Sequence, residues 1–167
     1  MRIIILGAGR VGFTVANNLS NENIDITLID KSQQVIDTVC ERLDISAICG
    51  NVSHPDVLES AGMKHADIVI AATDSDETNM MACQVAHHLF NVPKKIARVR
   101  AKIFLDVQEK LFNNNAIPID AIINPENEIV QFIKNLILHP GSQQVLSFAN
   151  GALSLAETRC NRDCALI

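Results

Sequence analysis

The sequence contains no tryptophan and no tyrosine, and only six phenylalanines. A core without large aromatics has to be built from Ile, Leu, Val and Ala. That branched-aliphatic bias suits a parallel sheet covered on both faces by helices. A basic block is also missing. The formal net charge is −5, and Lys94-Lys95 with Arg98, Arg100 and Lys102 is smaller than the cationic face of a nucleic-acid binder, so no nucleic-acid partner is expected. No apolar run reaches the length of a membrane span, so direct membrane insertion is not expected and a membrane role has to come through a partner. Met1 leads almost directly into an apolar run, which predicts that there is no signal peptide. The five cysteines, Cys40, Cys49, Cys83, Cys160 and Cys164, are odd in number and irregularly spaced. They predict reduced thiols in a cytosol, with neither a disulfide framework nor a zinc site. His54, His65, His87, His88 and His139 form no ligand set either. Internal repeats and low-complexity segments are absent.

What is present is an alternation. With 167 residues and 48% hydrophobic content, one domain of ordinary size plus an appendage is expected. Apolar runs at 3–6, 24–29, 46–49, 67–72, 95–99 and 119–123 read as six strands. Helical patterns fall between them at 10–19, 32–43, 54–61, 74–90 and 103–113. Val11, Val15 and Leu19 share one helix face, and Met81, Val85 and Leu89 form a stripe on another, with Met80-Met81 read as core. The strict strand–helix order implies an α/β fold: a doubly wound, Rossmann-like parallel six-stranded sheet with right-handed crossovers.

The first thirty residues carry the clearest chemistry. Gly7-Ala8-Gly9-Arg10-Val11-Gly12 is a G-x-G-x-x-G between a strand and a helix, and Asp30 lies 18 residues past Gly12, at the end of the second strand. In such a loop Gly7 permits the tight turn, Gly9 lets backbone approach a pyrophosphate, and Gly12 lets the helix pack on the strand. The helix N-terminus then faces the phosphates. A carboxylate at Asp30 accepts from ribose hydroxyls and repels a 2′-phosphate, which favours NAD over NADP; it also suits the start of the next helix. Arg10 reads either as a phosphate contact or as a solvated residue at a helix start. Thr73 and Asp74 follow the fourth strand at the ligand-binding edge, although Asp74 is equally a good N-cap. Asn51 ends the third strand and reads either as an adenine contact or as a turn residue. Arg98 and Arg100 alternate about Val99, so only one of them can easily face the cleft.

The pattern changes at Pro125. The helix 126–138 has apolar residues at Ile129, Val130, Phe132, Ile133, Leu136, Ile137 and Leu138, too wide a face for a helix wet on one side. It is expected to pack on the sheet domain and on a second molecule. Val145–Ala149 and Ala152–Thr158 read as strands joined at Asn150-Gly151, a strong hairpin signal. Two strands and a tail cannot form a core. The expected division is a nucleotide-binding domain over 1–124, a linking and dimerisation helix over 125–141, and the start of a truncated second subdomain over 142–167, as in a fragment of a longer protein.

Gly7-Ala-Gly-Arg-Val-Gly12, Ile29-Asp30, Ala61-Gly62-Met63 with Ala66-Asp67, Ala72-Thr-Asp74 with Asp76-Glu-Thr-Asn79, Ala97-Arg-Val-Arg100 and Asn124-Pro-Glu126 occur in the order seen in one family. The chain resembles the TrkA family, the nucleotide-binding regulatory subunits of Trk-type potassium uptake systems, whose domains are also called KTN or RCK domains. Phe148-Ala-Asn-Gly-Ala152 is similar to the opening of that family's C-terminal subdomain. The resemblance implies a cytoplasmic subunit, peripheral on the inner face of the plasma membrane. It would form a homo-oligomer, a dimer or larger ring, on a potassium-translocating integral membrane subunit. Its ligand would be NAD+ or NADH, with ATP or ADP also taken by relatives. Matched by motif, the ligand residues would be Gly7, Ala8, Gly9, Arg10, Val11, Gly12, Asp30, Asn51, Val52, Thr73, Asp74 and Arg98. Glu126 matches a position that reaches toward a neighbour's ligand. Asn51 departs from the family, which more often has Asp there.

No catalytic residue is assigned, and the expected role is regulatory rather than enzymatic. The alternative is a small NAD-dependent oxidoreductase, which needs a positioned acid/base and a substrate pocket. No His or Lys-Tyr pair at the carboxyl edge of the sheet would serve, and the length after Ile123 is short for a catalytic domain.

Overall fold

Ile3–Leu6 is apolar at every position because both of its faces are covered. It forms most of β1 (Arg2–Leu6) in a computed structural model that describes residues 1–138, 142–148 and 153–158. The described chain divides into two compact units, Met1–Ile123 and Asn124–Ile167.

The first unit contains β1, α1 (Arg10–Leu19), β2 (Asp25–Asp30), α2 (Gln33–Arg42), β3 (Ser46–Cys49), α3 (Pro55–Ser60), β4 (Ile68–Ala71), α4 (Asp76–Phe90), β5 (Lys94–Arg98), α5 (Lys102–Leu105), α6 (Gln108–Leu111) and β6 (Ala121–Ile123). The strands form one sheet in the order β3-β2-β1-β4-β5-β6, and every neighbouring pair is parallel. The expected doubly wound sheet is therefore present, with its order reversing between β1 and β4. Alternate residues feed two cores. Ile4, Leu6, Val69 and Ala71 pack with Leu58, Met63, Ala82 and Ala86 on one face. Ile3, Ile5, Leu28 and Ile70 pack with Ala16, Ile36 and Val39 on the other.

Three helical expectations need correction. The segment 103–113 is not one helix: Val107, at φ −118 and ψ 14, interrupts it into α5 and α6. Of its apolar residues, Phe104-Leu105 and Phe112 pack on the core as separate anchors, while Ile103 and Val107 are exposed. The Met81, Val85 and Leu89 stripe of α4 does not pack inward as a whole: of the three, Val85 is half-buried and packs on the core. Met81 is 54% exposed and Leu89 58%, while Asn79, Met80, Ala82, Cys83 and Ala86 are buried. Small side chains win that face because they let the helix backbone pack closely on the sheet. Finally, α4 begins at Asp76, so its N-cap is Ser75, whose Oγ accepts from the Thr78 N–H at 3.1 Å, and not Asp74.

The amino-terminal edge of the sheet is closed by carboxylates. Asp67 Oδ2 accepts from the Arg2 N–H and Asp120 Oδ2 from the Lys95 N–H, both at 2.7 Å. The Lys95 side chain is buried, with Nζ 2.9 Å from Asp120 and 3.1 Å from the Pro93 carbonyl. Burial would raise the Asp120 carboxyl, but the hydrogen bonds from Lys95 and its positive charge outweigh that and hold it below its ordinary value. Nearby Cys83 is pushed up to about 12 by burial.

The second unit contains α7 (Pro125–Leu138) and an antiparallel pair, β7 (Ser142–Phe148) with β8 (Leu153–Thr158). The expected strands are present and pair as a hairpin would. The Asn150-Gly151 turn, Cys160 and Cys164 lie outside the described residues. Among the described residues no α7 residue is buried, and Ile129, Val130, Phe132, Ile133, Ile137 and Leu138 are each about half exposed or more.

Candidate functional site

Parallel strands bring all their carboxyl ends to one edge, and there Gly7, Asp30, Asn51, Thr73 and Arg98 line one cleft. Its volume is about 460 Å³, within the range of small-molecule sites. The lining comprises Gly7, Ala8, Gly9, Arg10, Asp30, Lys31, Val35, Asn51, Val52, Ala72, Thr73, Asp74, Ser75, Thr78 and Arg98.

The loop after β1 is shaped by three different constraints. Gly7 has φ +98, and a Cβ on it would lie 2.9 Å from the Thr73 nitrogen, so both dihedral and space demand glycine. A Cβ on Gly12 would lie 1.8 Å from the Gly7 carbonyl oxygen. Gly9 has nothing within 4 Å of its would-be Cβ and no strained dihedral. The fold itself does not require glycine there, since a Cβ would project into open space. No side chain caps α1, whose first turn starts at this point.

Asp30 is tied into the loop. One carboxylate oxygen accepts from the Ala8 N–H at 2.7 Å and the other from the Ser32 N–H at 2.9 Å. Each is a charge-assisted bond that fixes backbone on one wall of the cleft. Asn51 makes the turn that the sequence allows: its Oδ1 accepts from the Ser53 N–H at 3.0 Å and the Ser53 hydroxyl at 2.9 Å. Its NH2 takes no part in these two bonds. Of the two arginines, Arg98 lines the cleft, whereas Arg100 donates to the Asp74 carbonyl and lies 3.6 Å from Asp76.

Ten of the twelve matched positions thus line one cleft. Val11 and Gly12 do not: Val11 packs into the α1–α2 core, and Gly12 meets Gly7. The residue reading assigned no site role to Lys31, Val35, Ala72, Ser75 and Thr78, which complete the lining. It also gave none to two buried polar groups behind it, Asp76 and Asn79. Asp76 Oδ2 accepts from the Arg100 and Ala101 N–H groups at 2.9 and 2.8 Å. Asn79 bonds Thr73 and Arg98. Their i, i+3 spacing in the first turn of a helix at the sheet edge was the available signal. Among the described residues no cluster of His, Cys, Asp or Glu could hold a metal ion, and no helix is long and apolar enough to cross a membrane.

Residues 3–125 match the TrkA-N domain family. The chain is 46% identical over 159 residues to the Trk system potassium uptake protein TrkA of Vibrio alginolyticus, covering 95% of this chain and 35% of that protein. It is also 46% identical over 167 residues to TrkA of Haemophilus influenzae, covering all of this chain and 36% of that protein. The chain therefore spans about a third of the length of these relatives. Among solved structures, the TrkA-N domain of the inner membrane protein ybaL from Escherichia coli superposes with a TM-score of 0.69 at 20% identity, covering 83% of this chain and 96% of that one. The GsuK channel bound to NAD superposes at 0.66 and 22% identity, covering 83% of this chain and 23% of that one. These likenesses show the fold.

Proposed function

The chain belongs to the TrkA-N domain family, and on that premise we propose that it is the nucleotide-sensing module of a potassium uptake regulator, binding NAD+ or NADH, with ATP or ADP as further candidates, in the cleft at the carboxyl edge of its sheet. The observation that carries this reading is the pairing of an open approach at Gly9 with a loop fastened by Asp30. A pyrophosphate would meet backbone at Gly9 and the start of α1, with Arg10 and Arg98 as cationic partners. Asp30 would take a ribose and disfavour a 2′-phosphate. In this reading the matched ligand set is Gly7–Arg10, Asp30, Asn51, Val52, Thr73, Asp74 and Arg98, with Val11 and Gly12 acting through packing.

The role is regulatory. The cleft lining holds no histidine, cysteine or tyrosine, the usual donors of an acid/base for the alternative, an NAD-dependent oxidoreductase. A nucleotide shifts an assembly only by its preference for one conformation over another. The assembly proposed is a homo-oligomer covering the exposed apolar residues of α7, seated on the cytoplasmic side of a potassium-translocating membrane subunit. Residues 142–167 would open a second subdomain.

Because the sequence has no tryptophan or tyrosine, co-purified nucleotide should dominate the near-ultraviolet spectrum as an adenine band. Calorimetry with NAD+, NADH, NADPH, ATP and ADP then tests the reading directly. Binding of NAD+ or NADH in preference to NADPH is expected, and NADPH binding more tightly than NADH would overturn the role given to Asp30. Sedimentation should show a dimer or larger species; a monomer at high concentration would remove α7 as the oligomer contact.

A further inference from the structure

We propose that Asn79 is a positioning residue that makes this cleft prefer a dinucleotide over a mononucleotide. The inference rests on the nucleotide reading above and extends it to a residue no ligand can touch. Asn79 is 0% exposed and lies in the first turn of α4. Its Oδ1 accepts from the Thr73 N–H at 2.9 Å and the Thr73 hydroxyl at 2.7 Å. Its NH2 donates to the Arg98 carbonyl at 2.9 Å and, more weakly, to the Thr73 carbonyl at 3.4 Å. Both oxygen lone pairs and both amide hydrogens are therefore in use.

The backbone shows why such a side chain is needed. The β4–β5 ladder ends at Ala71↔Ala97. Thr73 and Arg98 lie just past it, where the strand exits would part. Asn79 continues the connection by side chain, holding two cleft-lining residues that it joins from behind. Asp76, three residues earlier, fixes the next stretch by accepting from the Arg100 and Ala101 N–H groups.

Position along the sheet gives this link a specific consequence. With the order β3-β2-β1-β4-β5-β6, the Gly7–Gly12 loop is central. Asp30 and Asn51 lie to the β2–β3 side, and Thr73 and Arg98 to the β4–β5 side. In a doubly wound sheet each side serves one nucleotide half. The adenosine half then depends on Asp30 and Asn51, and the second half on a wall whose geometry Asn79 sets. Loosening that wall weakens a ligand spanning both sides and spares one that fills only the first.

The test is calorimetry of the full chain and of N79S and N79A, each titrated with NAD+ and with AMP. In the variants NAD+ affinity is expected to fall about tenfold, the effect of leaving buried polar groups unpaired, with AMP affinity changed by less than about threefold. Equal weakening of both ligands would show general damage and overturn the inference, as would unchanged NAD+ binding. Failure of the unsubstituted chain to bind either ligand would overturn the nucleotide reading, and this inference with it. Should both variants fail to fold, amide exchange on the unsubstituted chain decides. Saturating NAD+ should protect the Thr73, Arg100 and Ala101 amides more than saturating AMP does, and equal protection would refute the proposal.

Discussion

Two alanine substitutions in one loop should have opposite consequences. At Gly12 an added Cβ would lie 1.8 Å from the Gly7 carbonyl oxygen, 3.0 Å from the Gly7 carbonyl carbon and 3.3 Å from Ile5 Cγ2. Two of these neighbours are backbone and cannot rotate away, so α1 has to lift off β1. Overpacking of this kind costs about 3 kcal/mol or more, which for a chain of this size lowers Tm by about 6–12 °C. At Gly9 the added Cβ meets nothing within 4 Å, and φ −65 with ψ −175 suits any residue. The lost freedom of the unfolded chain favours alanine by about 0.4–1 kcal/mol, and the poorer cap offsets it by a similar amount. G9A should therefore melt within about 3 °C of the parent. Its methyl occupies the space proposed for pyrophosphate, so NAD+ should bind about 5- to 150-fold more weakly, the equivalent of 1–3 kcal/mol. Thermal unfolding followed by circular dichroism, with calorimetry on the same samples, reads both quantities. Parent-like NAD+ affinity in G9A would refute the placement of the ligand over this loop. A parent-like melt in G12A would refute the packing argument.

Two further outcomes concern the opposite edge of the sheet. D120A should destabilise by about 2 kcal/mol at neutral pH by stranding the buried Lys95 ammonium. Because the folded Asp120 pKa lies below its ordinary 3.8, its contribution is present above that value and is lost as pH falls through the folded one. The gap between the urea midpoints of parent and variant should therefore narrow below about pH 4, and a gap independent of pH would refute the ion pair. In the native protein at about pH 8, iodoacetamide followed by peptide mapping should label the exposed Cys40 and Cys49 but not Cys83, whose thiol is buried and pushed up to about 12; comparable labelling of Cys83 would refute its burial.

The sheet was legible because its strands are nearly unmixed apolar runs separated by helical periods, and Gly7, Gly9, Gly12 and Asp30 fell where a dinucleotide loop needs them. What periodicity could not show was which face of α4 packs. Met81, Val85 and Leu89 form the larger apolar stripe, yet the small residues Ala82, Cys83 and Ala86 are buried, since closeness of approach outweighs side-chain size. The split between α5 and α6 was equally hidden, because a single residue, Val107, leaves helical geometry. At the site, strand ends predicted the lining well. Asp76 and Asn79 stood in the motif string without an assigned role, because polar residues in a helix's first turn read as ordinary N-terminal chemistry. Their burial and hydrogen bonds reveal that Asn79 joins the exits of β4 and β5 and that Asp76 holds the segment after β5.

The attachment of Asp30 also bears on how this fold could change its ligand over evolutionary time. The carboxylate that would exclude a 2′-phosphate is the same one that receives the Ala8 and Ser32 amides. A single neutralising mutation cannot widen ligand choice without also unfastening the loop. A route to a phosphorylated cofactor through loss of this carboxylate would therefore cross a loosened intermediate, unless a replacement acceptor for those two amides arises first. The order of mutations, and not only their identity, is constrained by two hydrogen bonds.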